Sequence, residues 1–136
     1  MNLPKRLLKT KGNLSVKEKI VDKVMERFTK GGIPVSPGIH EGQIKVLKYP
    51  KEGNKLNKHD ILVTKANNPA WTPLFLEIGG LITEMGGPMS HGSVVAREYG
   101  VPAITGLREA TTRLRDGQLV RVNGETGKVE ILKPQQ

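Results

Sequence analysis

Short strands alternate with short helices along most of this chain, a pattern that predicts an α/β sandwich. Three observations carry the prediction. Aromatic residues make up only 4% of the 136 residues and hydrophobics 36%, so the core has to be built from Val, Ile, Leu and Ala. Sixteen glycines and nine prolines imply many tight connections rather than a helix bundle. The apolar runs 80–83 and 102–105 flank a helical apolar pattern, which reads as a parallel βαβ unit.

The elements follow in order. Residues 1–13 form a basic lead-in. Ser15-Val16-Lys17-Glu18 has capping-box spacing, so a helix is predicted from Val16. Val16, Ile20, Val24 and Phe28 recur every fourth residue, and the pattern stops near Lys30, before Gly31-Gly32. The predicted division is thus 1–31, a lead-in and amphipathic helix serving as linker or docking element, and 32–136, the main domain. Residues 32–38 read as a turn-rich approach, and strands are predicted at 43–47 and 60–64 around the polar segment 51–59. A short helix within 69–76 is expected to open at Thr72-Pro73, with Thr72 as its cap. A buried strand at 80–83 leads to a helix from about Ser90 to Tyr99, stopped by Gly100. A strand at 102–105 and a short helix at 108–114 follow, and 119–122 and 128–132 form a hairpin across 123–127. His40 is read as a loop residue and His59 as part of a polar connection.

Composition narrows the function. The absence of cysteine excludes a disulfide framework, a thiolate metal site and a cysteine nucleophile. No run of signal-peptide or membrane-spanning length occurs, so a cytoplasmic location is the default expectation. The net charge of +9 invites a nucleic-acid reading. Its distribution argues against one: residues 1–31 hold nine Lys or Arg against three acids, and stacking aromatics are scarce.

The chemistry concentrates at His91, which stands between the Gly86-Gly87 turn and the start of the helix. A helix N-terminus presents open backbone N–H groups and the positive end of the dipole, a place suited to an anion. The N–H groups of Gly92, Ser93 and Val94 are expected to face the His91 ring or its cargo, and Thr83, Ser90 and Ser93 can add hydroxyls. A free imidazole titrates near about 6.5, so a neutral nucleophilic nitrogen exists at neutral pH, and the helix end favours it further. A lone histidine at a helix start is ordinarily a cap or surface residue. The glycine pair, the flanking hydroxyls, the small Gly92 and the strand that follows favour a phosphoryl-accepting role instead.

These residues resemble the mobile phosphohistidine domain of phosphoenolpyruvate-utilising enzymes. The resemblance spans about residues 32–132. It rests on Val35-Ser36-Pro37-Gly38, Gly42, Asp60–Val63, Trp71-Thr72-Pro73-Leu74-Phe75, Gly79–Glu84, Gly86–Arg97, Val101-Pro102-Ala103 and Asp116-Gly117. It implies a three-layer β/β/α swivelling domain, here with an extra N-terminal helix, and phosphorylation of His91 through Nε2. It also implies a structural role for Gly86 and Gly87, and a phosphate-proximal or helix-anchoring role for Arg97. Met89 stands where many relatives have Thr, and Gly92 where Ala, Ser or Thr is common; Met-Ser-His-Gly is similar to the phosphoenolpyruvate synthase and rifampicin phosphotransferase branch.

No Walker loop, metal cluster or second catalytic constellation accompanies His91. The expectation is therefore a phosphotransferase component that binds no cofactor and no metal itself. A nucleotide-binding partner domain would hold ATP and Mg, or phosphoenolpyruvate, and an acceptor domain would complete the transfer. The alternative is a non-catalytic docking or regulatory module of the same fold. Binding to nucleic acid or membrane is not expected.

Overall fold

The computed structural model describes residues 32–133. The predicted helix at 16–30 lies outside the described residues. Seven strands build one mixed sheet: β1 (Ile33–Ser36), β2 (Ile39–Val46), β3 (Ile61–Thr64), β4 (Gly80–Thr83), β5 (Ala103–Thr105), β6 (Leu119–Asn123) and β7 (Lys128–Lys133), in the spatial order β1-β5-β4-β3-β2-β6-β7. Strands β2, β3, β4 and β5 run parallel; β1, β6 and β7 join antiparallel. Helix α1 (His91–Tyr99) connects β4 to β5, as the βαβ reading predicts, and a single turn, α2 (Ala110–Arg113), precedes β6.

Alternation along the parallel strands makes two cores. Side chains at successive strand positions point to opposite faces. Ile61, Val63, Ile82 and Ile104 therefore join Val120, Val122 and Val129 of β6 and β7 in one cluster. Leu62, Leu81 and Ala103 join Val95 and Ala96 of α1, with Trp71 and Phe75, in the other. Both faces of β3, β4 and β5 are covered, hence their uninterrupted apolar sequences. The β6–β7 hairpin thus folds back over one face while α1 covers the other, giving the layered α/β arrangement. Each fully buried aliphatic side chain stabilises this packing by about 1.5–3 kcal/mol.

Two backbone approaches close the curved sheet. A Cβ on Gly32 would lie 2.5 Å from the Gly127 carbonyl oxygen, and one on Gly124 would run into the Ser36 carbonyl oxygen and stand 3.2 Å from the Ala103 nitrogen. The turn of the hairpin is in this way seated against β1 and β5.

Three local expectations are corrected. Residues 33–36 are a strand, not only a turn-rich approach; Pro34 is tolerated because β1 is an edge strand with a register shift there. The 69–76 helix is 3-10 and begins at Pro69, capped by Asn68, whose Oδ1 accepts from Ala70 N at 2.9 Å; Thr72 lies within it. His40 belongs to β2, where its Nε2 lies 2.8 Å from the His59 carbonyl oxygen. Among the described residues no helix is long and apolar enough to cross a membrane.

The β2–β3 connection contains a 3-10 segment, Pro50–Lys55, organised by one carboxylate. Glu52 accepts from Tyr49 N at 3.0 Å and Lys48 N at 2.7 Å, and Lys55 Nζ lies 3.0 Å away. The bond from the Tyr49 backbone, then those from Lys55 and Lys48, lower its pKa to about 2 from 4.5. A depressed carboxylate stabilises the fold above its unfolded pKa, and that contribution is lost as the pH falls through the folded value. The amide signals of Lys48 and Tyr49 in the folded protein are expected to titrate with a midpoint near about 2 rather than 4.5 and to lose that titration in Glu52→Gln, as followed by NMR.

Candidate phosphoryl-acceptor site

The segment between β4 and α1 is held from within. Gly86 has φ of 123°, a left-handed conformation that favours glycine, and a Cβ there would stand 3.0 Å from Ser90 Oγ. Gly87 has open space around it; its contribution is the carbonyl, which accepts from Ser90 N at 3.0 Å, Ser90 Oγ at 2.8 Å and Ser93 Oγ at 2.7 Å. The two serine hydroxyls also lie 2.9 Å apart. On the β5 side, Thr105 Oγ1 donates to the Met85 carbonyl at 3.1 Å, so the 2.6 Å contact between the buried Thr83 and Thr105 hydroxyls takes its proton from Thr83. Glu84 accepts from the backbone N and the hydroxyl of Thr111, tying the segment to α2.

Arg97 reaches back along its helix. Its Nη1 donates to the Val35 carbonyl at 2.7 Å and its Nη2 to the Pro88 carbonyl at 2.6 Å, joining α1 to β1 and to the loop ahead of His91. The guanidinium thus has a helix-anchoring position. Met89 is 83% exposed.

His91 is the first residue of α1, half-buried, with Ser90 as N-cap. The Val94 N–H closes the first turn on the Ser90 carbonyl at 3.0 Å, so the open N–H groups are those of His91, Gly92 and Ser93, one residue earlier than predicted. Gly100, at φ 70°, ends the helix. The ring nitrogen Nε2 lies 2.9 Å from Thr72 Oγ1. In the same first turn Gly92 is buried against Asn67: a Cβ at position 92 would be 2.8 Å from Asn67 Cβ.

The structure gathers Thr83, Gly86, Gly87, Ser90, Gly92, Ser93 and Arg97 around the start of α1, but the three hydroxyls and the guanidinium are engaged in holding the loop. Sequence reasoning about the site missed Thr72 and Asn67. Thr72 lies nineteen residues from its partner, and its only signal is its place in the Trp71-Thr72-Pro73 run. Thr72→Val is expected to change stability by no more than about 1.5 kcal/mol, the worth of one hydrogen bond, while altering the tautomer balance of His91. Imidazole 15N shifts read that balance, and Thr72→Ser is expected to restore it.

The arrangement offers a ring nitrogen, a hydroxyl beside it and a helix end. Among the described residues no group of three His, Cys, Asp or Glu could hold a metal ion. A separate groove of about 510 Å³, lined by Ile39, His40, Leu76, Tyr99 and Pro102 among others, lies at the opposite end of α1.

The family described as PEP-utilising enzyme, mobile domain, matches residues 56–127. The chain is 52% identical over 101 residues to rifampicin phosphotransferase of Streptomyces sviceus, covering 74% of this chain and 12% of that protein. It is 42% identical over 99 residues to phosphoenolpyruvate synthase of Aeropyrum pernix, covering 72% and 12%. Among solved structures, enzyme I (nEIt) is similar with a TM-score of 0.52 and 28% identity over 59% of this chain and 33% of that one. Aconitase X of Thermococcus kodakaraensis shares the fold alone, with a TM-score of 0.59 and 19% identity over 76% of this chain and 97% of that one. The chain spans 12% of the length of each of the two curated relatives named here.

Proposed function

Starting from the mobile-domain family of phosphoenolpyruvate-utilising enzymes, to which this chain belongs, we propose that His91 accepts a phosphoryl group on Nε2 at one site and yields it at another. The observation that carries this reading is the position of Nε2, at hydrogen-bond distance from the Thr72 hydroxyl beside the open N-terminus of α1. A hydroxyl donating to Nε2 fixes the lone pair there and leaves the proton on Nδ1, the tautomer in which Nε2 is the nucleophile. Attack at phosphorus forms the N–P bond as the bond to the donor's leaving group breaks. The added negative charge then sits near the helix end and its open N–H groups, a favourable place for it.

The relatives to which the chain is similar are several times longer, which supports a reading in which the donor and acceptor sites lie on partner domains. A nucleotide-binding domain holding ATP and Mg, or a site holding phosphoenolpyruvate, would supply the phosphoryl group. An acceptor domain would bind pyruvate or a small hydroxylated molecule, and the work would take place in the cytoplasm.

The test is to incubate the chain with a donor domain of such a relative and labelled ATP or phosphoenolpyruvate. The expected product is an acid-labile, base-stable label mapping to His91 and chased by an acceptor domain. Absence of label, or label on another residue, would overturn the reading and favour a docking or regulatory module.

A further inference from the structure

We infer that Asn67 is a hydrogen-bond donor to the phosphoryl group carried by His91, and that Gly92 is the space that lets it stand there; the inference rests on the carrier reading above. Both polar atoms of the Asn67 side chain, Nδ2 and Oδ1, are out of contact with solvent and have no hydrogen-bond partner among the described residues. Leaving such groups unpaired costs stability, so a buried amide without a partner calls for a reason.

Capping does not supply that reason. The neighbouring Asn68 caps the 3-10 segment, through its own bond to Ala70 N at 2.9 Å. Packing does not supply it either, since an apolar side chain would fill the place without an unpaired dipole.

Location points to the first turn of the helix that carries the ring. Asn67 Cβ, Cγ and Oδ1 lie 2.8, 3.1 and 3.3 Å from where a Cβ on Gly92 would be, one residue beyond His91. Asn67 also immediately precedes the 3-10 segment whose Thr72 touches Nε2. A phosphoryl group is an acceptor at each of its outer oxygens, and the amide offers two N–H donors without the charge of a Lys or Arg. The terminal amide torsion of Asn is broad, so turning the donor toward an arriving group costs little. A neutral donor suits a group that has to be released again, because it stabilises the loaded state less than a cation would.

Gly92 is the other half of the pair. A methyl group at 92 would press on the Asn67 side chain, which explains a glycine within the first turn of α1, where its backbone conformation does not require one.

The experiment loads the chain chemically, with phosphoramidate and no partner protein. The His91 Nε2 lone pair attacks phosphorus; the N–P bond to the ring forms as the P–N bond to the leaving nitrogen breaks, ammonia departs with that electron pair, and Nδ1 keeps its proton. 31P NMR follows the phosphohistidine and 15N-edited spectra follow the side-chain amides. In the wild type, loading is expected to move the Asn67 amide signals. Asn67→Ala is expected to shorten the lifetime of the phosphohistidine by about tenfold, the worth of a hydrogen bond to a charged group, and Asn67→Asp to shorten it further by placing like charges together. Gly92→Ala is expected to lower thermal stability, and the Asn67→Gly, Gly92→Ala double variant, which removes the Cβ at position 67, to regain part of it. If His91 loads but the Asn67 signals stay still and Asn67→Ala keeps the wild-type lifetime, the inference fails while the carrier reading stands. If the wild type does not load at His91, the carrier reading fails and takes this inference with it.

Discussion

Replacing His91 with alanine or glutamine is expected to reduce phosphoryl incorporation by more than about a thousandfold while leaving the fold in place. A covalent carrier has no second route when its nucleophile is removed, so the loss resembles that of a nucleophile in a covalent enzyme rather than that of a binding residue. The hydroxyls of Ser90, Ser93 and Thr83 are already engaged, and that of Thr72 has no base beside it once His91 is gone. Ser90 and Ser93 both face the Gly87 carbonyl, and Thr83 is engaged with Thr105. The structural effect is small because His91 is only half-buried and its ring makes one hydrogen bond, to Thr72. The stability change should stay within about 1.5 kcal/mol. Labelled transfer and thermal unfolding, measured on the same preparation, check both halves. Incorporation near wild-type level in His91→Ala would remove His91 from its role.

The second large effect concerns folding. Gly124→Ala is expected to destabilise the domain by about 3–5 kcal/mol, lowering the melting temperature by on the order of 15 °C. Its new methyl group would meet the Ser36 carbonyl oxygen, a backbone atom that cannot step aside without moving β1. The same shift would strain the bond from Gly124 N to the Gly38 carbonyl at 2.7 Å. Two other glycines provide the scale. Gly87→Ala has open space and an ordinary backbone, so its cost should stay below about 1 kcal/mol. Gly100→Ala also has space but sits at φ 70°, and should cost about 1–2 kcal/mol from conformation alone. Equal melting temperatures for the three variants would show that the hairpin is not seated against β1 as described.

Local patterns made much of this molecule readable from its residues. The β4–α1–β5 unit was legible because each of its elements has its own apolar period, and because Gly100 marks the helix end with the residue type that adopts φ 70° at no steric cost. The hairpin was legible from its turn, where Asn123 Oδ1 accepts from Glu125 N and Thr126 N. Strand β1 was hidden by Pro34 and Pro37, which read as turn residues; only its place at the sheet edge makes Pro34 acceptable. Thr72 looked like a cap because Pro73 follows it, yet Asn68 and Pro69 offer the same signal earlier and win. The place of His91 at the head of α1 was legible from the glycine turn before it and the apolar helical pattern after it. Its contact with Thr72, and the closeness of Asn67 to Gly92, depend on how the 3-10 segment packs on α1, and no local period encodes that packing.

The three donors gathered by the Gly87 carbonyl, with the two carbonyls held by Arg97, have a kinetic consequence. A loop tied at both ends and in its middle has little freedom left for opening on its own. The conformational entropy that a loose loop would surrender at every encounter has already been lost when the chain folds. On the carrier reading, each round of loading would then start from one geometry without a search.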